Sequence, residues 1–91
     1  MTTTYTMGDT LQVGSQLMNG AIVVACTKII ERDPGEVRAV WVAVCIRSGE
    51  YHPFVVWNVV ATPEGFFAHL GDYYHHVIEA IGRFQDRGGS L

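Results

Sequence analysis

The segment VRAVWVAVCIRSGEYHPFVVWNVVA, residues 37–61, decides the fold of this 91-residue chain. Two runs rich in valine and aromatic residues flank a short polar stretch, a pattern typical of two antiparallel strands joined by a tight hairpin. We predict strands over Val37–Arg47 and Pro53–Ala61. Gly49 and Glu50 then lie at the two central positions of the connecting turn, and Gly49 suits the first position of a type II′ turn.

Further strands are predicted on both sides of this hairpin. The run Ala21–Glu31 is rich in β-branched residues, and the turn Asp33–Gly35 joins it to the next strand. On the other side, a type I turn over Thr62–Gly65 leads into a shorter strand, Phe66–Leu70. The segment 10–13 alternates weakly and is a candidate fifth strand. The pattern therefore predicts an antiparallel meander of four or five strands.

The hydrophobic period changes from two to about 3.6 residues after this meander. Asp72 is a suitable N-cap for a helix, and Gly88 follows the helix as a stop signal. Apolar residues recur at helical spacing at Tyr73, Val77, Ala80, Ile81 and Phe84. We predict an α+β fold in which a four- to five-stranded antiparallel sheet carries one C-terminal helix on one face. This single domain spans residues 9–91 and follows a loose N-terminal segment, residues 1–8.

Composition excludes several classes of function. Apolar residues make up 48% of the chain and charged residues 16%, and six Lys and Arg oppose nine Asp and Glu, for a net charge of −3. This balance disfavours nucleic-acid binding, which needs clustered cations. Phosphate-binding loops, nucleophile elbows and membrane-spanning apolar runs are absent from the sequence. The start of the chain lacks the features of a signal peptide, so we expect a cytoplasmic protein. Because the sequence offers no catalytic set, we also expect it to be non-enzymatic.

The turns also predict which side chains share a face of the sheet. If Arg32 faces Glu36, Cys26 pairs with Val42, and a two-residue loop then pairs Val42 with Trp57. These pairs form one apolar face, on which the helix packs. The opposite face is apolar too: it carries Val23, Ala25, Thr27, Ala39, Trp41, Ala43, Cys45, Phe54, Val56, Val60 and Phe67.

A single helix covers only one face of a sheet, and large exposed apolar patches usually mark interfaces. We therefore expect a homodimer in which two copies of this second face pack together. Two alternatives remain open. The N-terminal segment folds back over the second face, or the sheet curls into a small barrel.

The same register places one polar and aromatic row across the second face, formed by Thr27, Trp41, Asn58 and His69. This row is a candidate recognition patch or small-ligand site with Trp41 as its anchor. Alternatively, it is a structural seam in which Asn58 and His69 satisfy each other by hydrogen bonding. The full predicted interaction patch comprises Thr27, Trp41, Phe54, Val56, Asn58, Phe67 and His69.

The cysteines and histidines do not predict a metal, cofactor or catalytic site. Cys26 and Cys45 lie on opposite faces in the favoured register, which excludes a disulfide, although a slip of one residue would place them diagonally on one face. We expect both thiols to be reduced. His75 and His76 are adjacent on the predicted helix and point about 100° apart, so they cannot easily share one ion.

Three short motifs in residues 52–91 carry a resemblance. They are His52-Pro53-Phe54-Val55-Val56-Trp57, Gly65-Phe66-Phe67-Ala68-His69 and Arg83-Phe84-Gln85-Asp86-Arg87. The combination resembles a type of small actinobacterial protein, found in genomes, plasmids and phages, with such a strand, hairpin and closing helix. The chain departs from that type at Ala68-His69-Leu70, where Gly-His-Tyr is usual. The resemblance implies an origin in a mobile element and implies no activity or site.

These observations predict a small non-enzymatic protein-interaction protein. We expect a phage or mobile-element accessory factor that acts as a homo-oligomer on a host protein, in the host cytoplasm if it is phage-encoded. An alternative is a small-molecule-binding protein or enzyme that uses Trp41, Asn58 and His69. A nucleic-acid-associated protein is a third class, disfavoured by the net charge of −3.

Overall fold

A computed structural model describes residues 10–33, 36–62 and 64–90, with the backbone alone described over residues 30–39. The strands β1 (Ile22–Asp33), β2 (Glu36–Ile46), β3 (Phe54–Thr62) and β4 (Gly65–Tyr74) form one antiparallel sheet in the order β1-β2-β3-β4. The helix α1 (Val77–Asp86) follows. The predicted α+β fold is therefore confirmed, with four strands. Residues 10–13 lie outside the sheet, and the predicted loose segment 1–8 lies outside the described residues.

The register between β1 and β2 differs from the prediction by one residue over most of its length. Asp33 faces Glu36, so Cys26 faces Ala43 instead of Val42. The reason is that Asp33 extends the strand and leaves two residues between the paired ends, where three were predicted. A bulge at Val24 then shifts the register back at the start of β1.

The register between β2 and β3 is also wrong by one residue, because the loop between them is longer than predicted. The Arg47 N–H donates to the Pro53 carbonyl at 2.8 Å, which encloses the five residues 48–52. Val42 consequently faces Asn58 instead of Trp57. A slip of one residue moves every side chain of a strand to the other face.

The third hairpin has the predicted register. Asn58 faces His69, and Thr62 faces Gly65 across the turn. The Thr62 hydroxyl donates a hydrogen bond of 2.7 Å to the Gly65 carbonyl and closes this end of the sheet.

The strand β4 is longer than predicted, and the helix starts later. A bulge in which Leu70 and Gly71 together face Trp57 lets β4 continue to Tyr74. Asp72 is therefore a strand residue, and His76 is the N-cap of α1, without a side-chain capping bond.

The C-terminal end of α1 follows the prediction. Gly88 has a φ of +101°, a left-handed conformation that favours glycine. The Gly89 N–H donates to the Phe84 carbonyl at 2.8 Å and the Gly88 N–H to the Gln85 carbonyl at 3.1 Å, as in a Schellman motif. Within the predicted helical stripe, Ala80 and Phe84 are buried.

The sheet has one hydrophobic cluster on each face. On the helix face, the face that α1 covers, Val42, Val44 and Val56 pack with Ala80 and Phe84. The other face, called here the opposite face, holds the larger cluster. Its buried sheet residues are Val23, Trp41, Ala43, Cys45, Val55, Trp57, Val59 and Ala61.

Residues 11–21, called the N-terminal segment from here on, cover the opposite face. Leu11, Leu17 and Ala21 are buried in the same cluster as Trp41 and Trp57. The segment is fastened to both edge strands, because the Val23 N–H donates to the Ser15 carbonyl and the Met18 N–H donates to the Phe66 carbonyl. The expectation of an open apolar second face is therefore wrong for the described residues, because residues 11–21 fold back over that face. The predicted loose segment, residues 1–8, lies outside the described residues.

No helix within the described residues is long and apolar enough to cross a membrane.

Candidate functional site

The predicted interaction patch is divided between the two faces of the sheet. Trp41 pairs with Val59 and belongs to the cluster of the opposite face. Its ring makes an edge-to-face contact with Phe66 at 6.0 Å, and the Lys28 ammonium lies 5.9 Å from the ring centroid. The prediction that Trp41 lies beside Asn58 is wrong, because both neighbouring registers differ by one residue.

The other six patch residues share the helix face, and three of them are used within the fold. Val56 is fully buried, and Phe54 packs against the same cluster. Thr27 holds the C-terminal tail: the Ser90 N–H donates to its hydroxyl oxygen at 2.8 Å, and the hydroxyl donates to the Ser90 carbonyl at 3.3 Å. The accessible remainder of the patch consists of Asn58, Phe67 and His69.

These three residues form a small aromatic and polar group beside the free edge of β4. Asn58 and His69 are cross-strand partners, and the Phe67 and His69 rings are stacked, with centroids 6.1 Å apart. The Nε2 atom of His69 is buried and has no hydrogen-bond partner. The predicted seam therefore leaves this nitrogen unsatisfied, at a cost of about 1–3 kcal/mol for a buried polar group.

The main chain of β4 presents unpaired groups to one side. Successive residues of an antiparallel strand direct their N–H and C=O groups to alternate sides. Pro53 directly precedes β3, and its carbonyl points toward β2, where it accepts the Arg47 N–H. The N–H and C=O groups of the odd-numbered residues of β3 therefore also point toward β2. The N–H and C=O groups of the even-numbered residues of β3 therefore point toward β4. The same groups of their partners in β4 point back toward β3.

It follows that Ala68 and Tyr73, which pair with odd-numbered residues of β3, direct their N–H and C=O groups outward. The outward carbonyl of Phe66 accepts the Met18 N–H at 3.0 Å. Beyond Phe66, none of the described residues forms a backbone hydrogen bond to the outer side of β4. Among the described residues, nothing pairs with the edge from Ala68 to Tyr73, so its outward groups are available to another strand.

Exposed apolar side chains are concentrated along this edge and the start of α1. Leu70 is 66% exposed and Ile78 77%, and Tyr51, whose ring lies 4.3 Å from that of His75, is 78% exposed. We call the whole set the β4 surface: it comprises Tyr51, Phe67, Leu70, Tyr73, Val77 and Ile78. Phe67 lies on the helix face and Tyr73 on the opposite face, so the exposed apolar groups flank the edge on both sides. An apolar strand edge of this kind is typical of an interaction site.

Leu70 has an unusual backbone conformation for an exposed leucine. Its φ is +58°, and it is the one residue other than glycine with positive φ among the described residues. The left-handed conformation costs an L-residue with a Cβ roughly 1–2 kcal/mol. Sequence reasoning missed Leu70, although the glycine that follows it within a strand pattern is a recognised signal for a bulge.

A second feature is a small polar cavity at the other edge of the sheet, near the start of β1. It has a volume of about 300 Å³ and is lined by Asn19, Gly20, Ala21, Ile22, Ile46, Arg47, Ser48 and Glu50. Arg47 donates to the His52 carbonyl at 3.1 Å and lies over the Tyr73 ring at 4.9 Å, and its Nε is buried without a partner. Glu50, 4.0 Å from Arg47, offsets the positive charge there.

The two thiols lie on the same face, contrary to the prediction. Cys26 faces Ala43, so it is diagonal to Cys45 on the opposite face. Both are free thiols. Burial raises the pKa of Cys26, and burial together with the nearby Cys26 raises the pKa of Cys45 to about 12. A thiol with such a raised pKa is a poor nucleophile at neutral pH, because the thiolate is the reactive form.

His, Cys, Asp and Glu do not form a group of three or more that could hold a metal ion anywhere in residues 10–33, 36–62 and 64–90. No protein-family model, curated protein or solved structure matches the chain.

Proposed function

We propose that this chain is a small non-enzymatic protein-interaction protein that binds its partner through the β4 surface. The observation that carries the proposal is the outer edge of β4, where exposed apolar side chains accompany main-chain groups that none of the described residues pairs with. A partner strand can pair with such an edge, and its side chains can bury the flanking apolar groups.

The charge distribution favours a protein partner over a nucleic acid or another polyanion. Asp72 is the single charged residue of β4, and on the helix face it accepts hydrogen bonds from Arg83 at 2.8 Å and Arg87 at 3.4 Å. The edge itself therefore carries no excess cation. Binding to it would depend mainly on apolar burial and main-chain hydrogen bonds, and only weakly on salt.

We extend the proposal to an accessory factor of a phage or other mobile element that acts as a homo-oligomer on a host protein in the cytoplasm. The resemblance over residues 52–91 supports only the mobile-element origin. The support for an oligomer and for a protein partner is the outer edge of β4 with its exposed apolar side chains. The alternative of a small-molecule site with Trp41, Asn58 and His69 is weakened, because Trp41 lies on the other face of the sheet.

Site-specific photo-crosslinking in the native cell tests the proposal. p-Benzoylphenylalanine replaces Phe67, an aromatic residue that is 52% exposed, and in a matched control it replaces Gln85 on the exposed side of α1. We expect a discrete protein adduct from position 67 and none from position 85. Equal labelling at the two positions, or no adduct at either, would contradict the proposal.

A further inference from the structure

We propose that the open edge of β4 pairs with β4 of a second copy of this chain, antiparallel and about a twofold axis at Leu70 and Gly71, so that two four-stranded sheets join into one. This inference rests on the proposed function and names the partner at that surface. The dimer so formed differs from the face-to-face dimer expected from the sequence, because the opposite face is already covered by Leu11 and Leu17.

The first argument is the symmetry of the outward main-chain groups. Because the bulge places Leu70 and Gly71 together opposite Trp57, the open edge has three outward positions: Ala68, the bulge and Tyr73. Ala68 and Tyr73 are equally distant from the bulge. A twofold axis through the bulge therefore pairs Ala68 of each copy with Tyr73 of the other. In each pair, the N–H of one residue donates to the C=O of the other, in both directions. An isologous interface requires this self-complementarity.

The second argument is the conformation of Leu70. The left-handed backbone brings no benefit within the described chain that Gly or Asn would not provide at lower cost, yet the residue is an exposed leucine. Strained residues are typically retained where function requires them. At the twofold axis, Leu70 would pack against Leu70 of the second copy, and both leucine side chains would be buried.

The third argument is the pairing of polar groups on the helix face. The same axis places His69 of each copy opposite Asp72 of the other, which gives two equivalent pairs. The His69 Nε2 has no hydrogen-bond partner among the described residues, and an imidazole N–H donates readily to a carboxylate. The pairing thus brings the Asp72 carboxylate next to the half-buried His69 ring and brings no like charges together, because Asp72 is the one charged residue of the strand.

Sedimentation velocity of the full chain, from low to high micromolar concentration, tests the inference. We expect the wild type to sediment as a dimer. Leu70→Asn should weaken dimerisation about tenfold or more while its melting temperature stays at or above that of the wild-type monomer, because Asn tolerates the left-handed backbone. Val13→Asn, at an equally exposed position outside the β4 surface, is the matched control and should remain dimeric.

A Leu70→Cys variant tests the register directly. Under oxidation by a disulfide such as oxidised glutathione, the two introduced thiols at the axis lose two protons to form one interchain disulfide, and the oxidant is reduced to two thiols. We expect a covalent dimer from this variant and none from the wild type, in which Cys45 is fully buried and Cys26 packs against the opposite-face cluster on β1, at the other edge of the sheet.

The two proposals fail in different ways. A wild-type protein that is monomeric throughout, or a Leu70→Asn protein that remains dimeric, would overturn the self-pairing. If the adduct formed at position 67 in cells nevertheless contains a different protein, the interaction function stands and only the identity of the partner is wrong. Absence of both dimer and adduct overturns both proposals.

Discussion

Gly71 lies where the bulge of β4 presses against the indole of Trp57. A Cβ added at Gly71 would lie 2.5 Å from Trp57 Nε1 and 2.9 Å from Cδ1, whereas one at Gly82 in α1 would meet nothing within 4 Å. We expect Gly71→Ala to lower the free energy of unfolding by about 1–3 kcal/mol through overpacking. Gly82→Ala should raise it by about 0.5–1 kcal/mol, since glycine is unfavourable within a helix. Urea unfolding at low protein concentration measures both, and similar effects of the two substitutions would contradict the described contact.

Cys45 predicts a pH dependence of stability in the alkaline range. Burial and the nearby Cys26 raise the pKa of its thiol from 9.0 to about 12 in the folded protein. Above pH 9 the unfolded chain therefore binds fewer protons than the folded one, so stability falls as pH rises toward 12, by up to about 1.4 kcal/mol per pH unit from this thiol. Below pH 9 this contribution is fully present. Urea unfolding at pH 8 and pH 10 measures how much the free energy of unfolding falls between the two pH values. The fall should be smaller for Cys45→Ala than for the wild type, and equal falls would exclude the effect.

At the scale of elements, two arginines join α1 to the sheet in different ways. Arg83 donates to Asp72 at 2.8 Å from an exposed position, and this hydrogen bond raises the pKa of its guanidinium. Arg87 is largely buried and donates both to Asp72 and, at 3.0 Å, to the Val56 carbonyl of β3. We expect Arg87→Ala to cost about 1.5–3 kcal/mol, because it also leaves a main-chain acceptor without its charged donor. Arg83→Ala should cost clearly less, and less still in high salt, which screens an exposed ion pair. Thermal unfolding of both variants is the measurement, and equal losses would show that the contact with Val56 adds nothing.

The strands could be predicted from local sequence, but their registers depended on residues with no distinctive local signal. The third hairpin has the predicted register because the predicted turn ends, Thr62 and Gly65, face each other. A proline and a glycine also mark the turn of the first hairpin, but there the paired residues extend one position further than predicted. Asp33 joins β1, and the loop 48–52 is longer than Gly49 alone suggests. Each difference is one residue, yet each exchanges the faces of a strand. That is why Trp41 was wrongly grouped with Asn58 and His69 in the predicted site.

At the scale of the whole molecule, the covering of the opposite face could not be predicted from periodicity. The segment from Leu11 to Ala21 contains a single isolated bridge, Gln16 to Ile22, and no strand or helix. Periodicity detects regular elements, and this segment buries its few apolar side chains without one. Both faces of the sheet are apolar, as predicted, but the second face is covered by another part of the same chain. An interface inferred from an apolar sheet face therefore requires that irregular segments be placed first.

Leu17 provides the test of this covering role. It is 3% exposed, packs in the cluster that contains Trp41 and Trp57, and is held by the bond from its N–H to the Ala21 carbonyl at 2.9 Å. We expect Leu17→Ala to lower the free energy of unfolding by about 2–5 kcal/mol, as for other buried leucines. Val13→Ala, in the same segment but 68% exposed, should change it by less than about 0.5 kcal/mol. Tryptophan fluorescence during urea unfolding reports on both, because the segment shields both indoles. If the segment covered the sheet only loosely, the two substitutions would have the same small effect, and the opposite face would again need a partner from outside the chain.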